Sequence, residues 1–159
     1  MKIRVGFGYD VHKLGVNEEL WIGGIKIEHT KGSIGHSDGD VLIHAICDAL
    51  LGAANMRDIG FHFPDNDPTL KGIDSKILLN KTIKLLRDAG YEIGNIDSTI
   101  ALEQPKLKKL IPQMQDTLAE VLSISKNDIA IKATTTEKLG FVGNQEGIAA
   151  YATVLISKV

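Results

Sequence analysis

The sequence predicts an α+β fold: a mixed four-stranded β-sheet with three helices on one face, plus a small separate β-hairpin. Three observations carry this. Strand-like and helix-like segments follow one another in the irregular order β-ββ-α-α-β-α-β-β, which differs from a strict βα repeat. Several longer stretches place apolar residues at helical spacing. Between two short β-rich runs stands Gly23-Gly24, a two-residue turn that tolerates positive φ.

Each element has its own reason. "KIRVGF" (residues 2–7) alternates Ile3, Val5 and Phe7 with Lys2, Arg4 and Gly6, the pattern of a half-buried strand. "ELWIGGIKIEH" reads as the hairpin. "TKGSIGHSDGD" is dense in Gly, Ser and Asp and reads as a loop. A helix follows from about Asp40 to Ala54, capped by Asp38 or Asp40. "MRDIGFHFPDNDPTLKGID" carries two prolines and reads as a long irregular segment, a kind that is usually functional or mobile. A second helix runs from about Ser75 to Ala89 and stops at Gly90. "NIDSTIAL" is a strand. A third helix after Pro105 carries Leu107, Leu110, Ile111, Met114, Leu118, Val121 and Leu122 as a core stripe, with Pro112 in its first turn or bending it. "DIAIKAT" is a strand, "TTEKLGFVGNQEG" a loop, and "IAAYATVLISK" the last strand.

Composition fits this picture. A chain of 159 residues, 43% hydrophobic and 24% charged, suits one globular domain over residues 1–159. A net charge of −2 argues against a general nucleic-acid binder. The single cysteine, Cys47, lies in an apolar run and reads as an inert buried residue. The longest apolar stretch, "IAAYATVLI", is far too short to span a bilayer, and the N-terminus goes straight into strand alternation. A cytoplasmic protein is expected.

Chemistry concentrates in a few places. In "GYDVHKL", Asp10 and His12 stand two apart, so on a strand they point to the same side. Read alone, the pair is ordinary solvated surface. His44 lies one turn into the first helix, where Asp40 and Asp48, its i−4 and i+4 neighbours, could bond its ring. The same carboxylates suit a metal reading, since a ligating imidazole gives its other N–H to a second acceptor. Asp10, His12 and His44 together offer two nitrogens and one carboxylate, a set that suits Zn²⁺ and leaves a fourth position open. His36 and Ser37, in "GHSDGD" before the helix, could favour a phosphate. "KATTTEKLGF" supplies three threonines and Glu137, a carboxylate suited to Mg²⁺ beside phosphates. The lysines of "LEQPKLKK" read equally as a solvated face.

Taken together, "GYDVHKL", "KGSIGHSDGDVLIHAICDALLGAANMRDIGFHFPDNDP", "QPK", "KATTTEKLGF" and "QEGIA" resemble the 2-C-methyl-D-erythritol 2,4-cyclodiphosphate synthases from end to end. The resemblance implies a homotrimer with active sites between subunits, using Zn²⁺ and Mg²⁺ or Mn²⁺. The implied reaction cyclises 4-diphosphocytidyl-2-C-methyl-D-erythritol 2-phosphate with release of CMP, a step of the non-mevalonate isoprenoid route. Carried over residue by residue, the zinc ligands are Asp10, His12 and His44, and Glu137 holds the second metal. His36 and Ser37 hold the erythritol phosphate end, and His36 and Thr135 act on the reacting phosphates. Asp58 and Gly60 hold the ribose. Phe63, Pro64, Asp65, Asn66 and Asp67 close over the methylerythritol. Leu102, Glu103, Gln104, Pro105 and Lys106, with Ala133 and Thr134, form the cytidine pocket, supplied by the neighbouring subunit. Thr136, Phe141 and Asn144 complete the substrate-binding set.

Three positions depart from the family's common pattern. Asn144 replaces an arginine near the trimer axis, at a cavity that binds isoprenoid diphosphates in some members. Tyr9 stands where phenylalanine is common. "LEQPK" carries larger residues before Pro105. The same ligands would also serve a zinc-dependent phosphoesterase, with water in the fourth position, or a non-catalytic trimeric binding module with a structural metal.

Overall fold

In the computed structural model, which describes residues 2–159, the first strand lies directly under the first helix. Strand β1 (Ile3–Val16) and helix α1 (Val41–Ala53) meet at Gly6 and Gly8. A Cβ built on Gly6 would sit 1.9 Å from the Ala49 carbonyl oxygen, and one on Gly8 equally close to that of Ala45. Only glycine lets the two backbones approach this closely. Helix α1 is mostly apolar because it is largely enclosed: eleven of its thirteen residues are buried, all but Asp48 and Gly52.

The main sheet has five strands in the order β4-β1-β7-β5-β6, one more than the sequence reading allowed. The extra strand is β4 (Lys31–Ile34), which pairs antiparallel with Lys13–Val16 of β1. Its sequence, "KGSI", has one large apolar residue and reads locally as loop. Backbone pairing to the long first strand makes it a strand. Strands β7 (Gly147–Lys158) and β5 (Tyr91–Ala101) continue the sheet antiparallel, and β6 (Ile129–Thr134) adds a parallel edge. The sheet is therefore mixed, as expected. A separate two-stranded hairpin joins β2 (Leu20–Ile22) and β3 (Ile25–Ile27), turning at Gly23 and Gly24 with φ of 62° and 78°.

Helix α3 (Ser75–Asp88) packs on α1, and α4 (Ile111–Leu122) packs on α3 and β6, with Pro112 in its first turn. The core runs between these helices and one sheet face, through Leu42, Ile46, Leu79, Ile100, Met114 and Ile156. The long segment after α1 is less irregular than its prolines suggest. It contains a short helix, α2 (Ile59–His62), and a 3₁₀ turn at Pro68–Leu70. Another short helix, α5 (Gly140–Gly143), interrupts the loop before β7.

One expectation is reversed in direction. β1 is half-buried, but its buried side is the glycine side. Val5 is 65% exposed and Phe7 64%, and Ile3, Tyr9 and Val11 share their open sheet face. Tyr151, opposite Tyr9 on β7, joins them with ring centroids 5.1 Å apart. Helix α1 needs a surface without Cβ atoms, and this turns the apolar residues outward.

Candidate active site

The parity of β1 that sends Tyr9 and Val11 outward sends Asp10 and His12 inward, toward α1. His44, in the first turn of α1, meets them there. The Asp10 Oδ2 atom lies 2.8 Å from His12 Nε2 and 3.1 Å from His44 Nδ1, and the two ring nitrogens are 3.1 Å apart. These three residues form a potential metal site. Four-coordinate Zn²⁺ with N and O ligands at about 2.0–2.2 Å needs donors about 3.3 Å apart, so a slight outward relaxation admits the ion.

The proton pattern also fits a cation. His12 Nδ1 donates to the Ile34 carbonyl at 3.2 Å, which leaves Nε2 as the nitrogen turned to Asp10 and available to an ion in place of a proton. His12 Nε2, the Asp10 oxygen and His44 Nδ1 converge on one point. Burial disfavours charge on Asp10, but hydrogen bonds and charge from His12 and His44 outweigh it and hold the carboxyl at about 2. Burial likewise opposes a charged His12, yet the Asp10 hydrogen bond and charge raise its pKa above the ordinary value. The site thus attracts positive charge, whether proton or metal.

The outer nitrogen of His44 does not reach the carboxylates the sequence offered. Asp40 is fully buried and faces away: it accepts hydrogen bonds from Gly23, Gly24 and Ile43 N–H groups at 2.7–3.0 Å. Asp48 accepts from the Ile59 N–H at 2.7 Å and so seats α2. His44 Nε2 lies instead 2.9 Å from the Ser75 hydroxyl and 3.1 Å from that of Ser37. Serine 75 gave no signal in the sequence, being an unremarked first residue of a helix.

A cavity of about 210 Å³ opens from these three residues. It is lined by Asp10, His12, His36, Ser37, His44, Gly60, Phe63 and Asp65, with Ile59, Leu70, Ile73 and Leu78 as apolar walls. The apolar walls were not anticipated. His36 bonds the Asp67 carbonyl at 2.9 Å, and Gly72 N–H donates to the His36 carbonyl at 2.7 Å, tying the 63–73 segment to the loop before α1. Asp58 is the residue before α2. Its neighbour Arg57, also unremarked in the sequence, has φ of 68° and lays its guanidinium 4.2 Å from the centroid of the Phe61 ring.

The remaining predicted residues gather elsewhere. Leu102, Pro105, Lys106, Ala133, Thr134 and Thr135 line a second cavity of about 250 Å³. The Gln104–Pro105 bond is cis. Glu103 is buried, and its carboxylate accepts the Thr136 and Lys138 N–H groups at 3.3 and 3.0 Å, holding the threonine loop in shape. Glu137 and Phe141 are exposed, and Asn144, also exposed, caps α5; none of these three lines either cavity. Pro64, Asn66 and Thr136 also lie outside both linings.

Comparison with known proteins agrees with this geometry. Residues 3–157 match the model of the YgbB family. The 2-C-methyl-D-erythritol 2,4-cyclodiphosphate synthase of Parabacteroides distasonis is 71% identical over 159 residues, all of this chain and 99% of that one. The Bacteroides fragilis enzyme of the same name is 69% identical over the full length of both. Among solved structures, the bifunctional IspDF of Campylobacter jejuni superposes with a TM-score of 0.96 at 42% identity. The chain is covered to 99% there but spans only 43% of that longer protein. The IspF–CDP complex of Plasmodium falciparum superposes at 0.87 with 35% identity, over 98% of this chain and 96% of the other. The chain belongs to the YgbB family, among relatives that are 2-C-methyl-D-erythritol 2,4-cyclodiphosphate synthases along their whole length.

Proposed function

We propose that the chain is a metal-dependent 2-C-methyl-D-erythritol 2,4-cyclodiphosphate synthase, a lyase of isoprenoid precursor synthesis. The observation that carries this reading is the convergence of Asp10, His12 and His44 at the mouth of a cavity that also holds His36 and Ser37. An oxygen of the substrate's 2-phosphate forms a bond to the β-phosphorus. The bond from that phosphorus to the CMP oxygen breaks, and its electron pair leaves with CMP.

The attacking phosphate has a second pKa near ~6 and is largely a dianion at neutral pH, so no strong base is required. The obstacle is bringing one anion onto another in line. Zn²⁺ held by Asp10, His12 and His44, and Mg²⁺ or Mn²⁺ held with Glu137, supply the neutralising charge when bound. His36 and Ser37 orient the phosphate end and Thr135 steadies the diphosphate. The segment Phe63, Pro64, Asp65, Asn66 and Asp67 holds the methylerythritol so that the reactive conformer is populated. Asp58 and Gly60 take the ribose. Leu102 to Lys106, with Ala133 and Thr134, take the cytidine, and Thr136, Phe141 and Asn144 lie around the same substrate.

The working form is a homotrimer with each site shared between neighbours. Two features support this: the open apolar face of β1, and the separation of the metal-side and cytidine-side residues into two cavities on one chain. A cytoplasmic location goes with the reading, as does a free, buried Cys47. Incubation with the diphosphocytidyl substrate and Mg²⁺, followed by phosphorus NMR, tests it. Cyclic diphosphate and CMP in equal amounts are expected. Linear methylerythritol phosphates would instead mean hydrolysis.

A further inference from the structure

We propose that Ser75 and Asp38 are positioning residues for the metal centre, setting which nitrogen of His44 is left to bind the ion. This rests on the reading of Asp10, His12 and His44 as ligands. Ser75 is fully buried and lines neither cavity described above. Its hydroxyl has one proton, and the Asp38 carboxylate takes it. The second Asp38 oxygen accepts the Ser75 backbone N–H at 2.9 Å, so the carboxylate grips this residue twice. A carboxylate cannot donate, which fixes the direction of the chain.

With its proton committed, the Ser75 oxygen can only accept from His44 Nε2, 2.9 Å away. Nε2 therefore carries a hydrogen, and Nδ1 is the nitrogen turned to Asp10 and His12, the one left to bind an ion in place of a proton. The relay is His44 Nε2–H to Ser75 Oγ–H to Asp38. It also spans three parts of the fold: α1, the first residue of α3 and the loop between β4 and α1. Ser37 offers a longer contact to the same nitrogen at 3.1 Å, but its oxygen also accepts the Gly39 N–H, so it is the secondary acceptor.

Outer partners of metal-bound imidazoles change metal affinity by about 10- to 100-fold when removed. We expect Ser75→Ala to weaken zinc binding by about that factor in competition with a chromophoric chelator. Its Co²⁺-substituted form should show shifted ligand-field bands, while metal-free melting stays close to wild type. Ser75→Thr, which keeps the hydroxyl, should restore most of the affinity. Asp38→Asn should weaken binding in the same direction.

A folded Ser75→Ala that binds zinc as wild type does, with an unchanged Co²⁺ spectrum, overturns the relay and leaves the ligand reading intact. A wild-type chain that takes up no zinc overturns both. Should the variants fail to fold, histidine ¹⁵N spectra of the zinc-loaded wild type decide. A His44 Nε2–H protected from exchange supports the relay, and one exchanging as fast as an exposed imidazole overturns it.

Discussion

His12 holds its proton more tightly than an isolated imidazole because the Asp10 carboxylate is 2.8 Å away, although burial works against that charge. In the metal-free chain this pairing stabilises the fold in full below the ordinary value of 6.5. The contribution is lost as pH rises through the raised value. Asp10 behaves oppositely: burial resists its ionisation, but His12 and His44 hold it at about 2. Its contribution is present above its ordinary 3.8 and lost only as pH falls through that lower value. A divalent ion takes the place of the His12 proton, so its affinity rises as His12 deprotonates. Zinc affinity should therefore climb as pH rises from below 6.5 through the raised His12 value, with up to one proton released at His12 per ion bound. Competition titrations in buffers of different ionisation enthalpy measure both. An affinity that does not change with pH would remove His12 from the ligand set.

Among the elements, Asp40 does the most with one side chain. It caps α1 through Ile43 N–H and also binds the Gly23 and Gly24 N–H groups, so the hairpin turn and the helix start share one buried carboxylate. Burial pushes its pKa up, and the three N–H donors pull it back. Asp40→Ala would leave three N–H groups without their partner. A loss of about 3 kcal/mol or more is expected, from the cap and the orphaned donors together. Urea unfolding of the metal-free chain measures it, and Asp40→Asn should recover part of the loss.

The cap at Asp40, the turn at Gly23-Gly24 and the Asp10–His12 parity were legible because each depends on residues close in sequence. What was not legible depends on distant partners. "KGSI" becomes β4 only because β1 continues to Val16 and offers it a ladder. The choice of Ser75 over Asp40 and Asp48 as His44's partner depends on where α3 begins in space. The outward turn of Val5 and Phe7 follows from the close approach of α1 at Gly6 and Gly8, which alternation cannot reveal.

At the scale of the whole molecule, the open face of β1 is the feature that supports the proposed homotrimer. Ile3, Val5, Phe7, Tyr9 and Val11 still expose apolar area on this face, and covering it is worth about 25 cal/mol per Å² removed from water, set against the cost of association. β5 offers Asp97 and Thr99 on the same face, in register with Phe7 and Tyr9 across β7, so the face turns polar away from β1. Val5→Asp with Phe7→Asp should convert the proposed trimer into monomers in sedimentation velocity. Activity should fall by orders of magnitude, because the cytidine cavity of a neighbour is lost while zinc binding remains. A fully active monomer would contradict sites shared between subunits.

β1 carries its two duties on alternate residues: Asp10 and His12 on one side, Tyr9 and Val11 on the other. The odd positions form the open apolar face and the even ones turn to the potential metal site, with a period of two. A single-residue insertion or deletion between Ile3 and His12 would exchange the faces beyond that point. Asp10 and His12 would be delivered to the open sheet face, and bulky apolar side chains would be driven into α1. The hairpin is constrained as well, because Leu20, Ile22, Ile25 and Ile27 are buried and Asp40 holds its turn. Length variation in this chain should therefore be forbidden in the ten residues of β1 before Lys13.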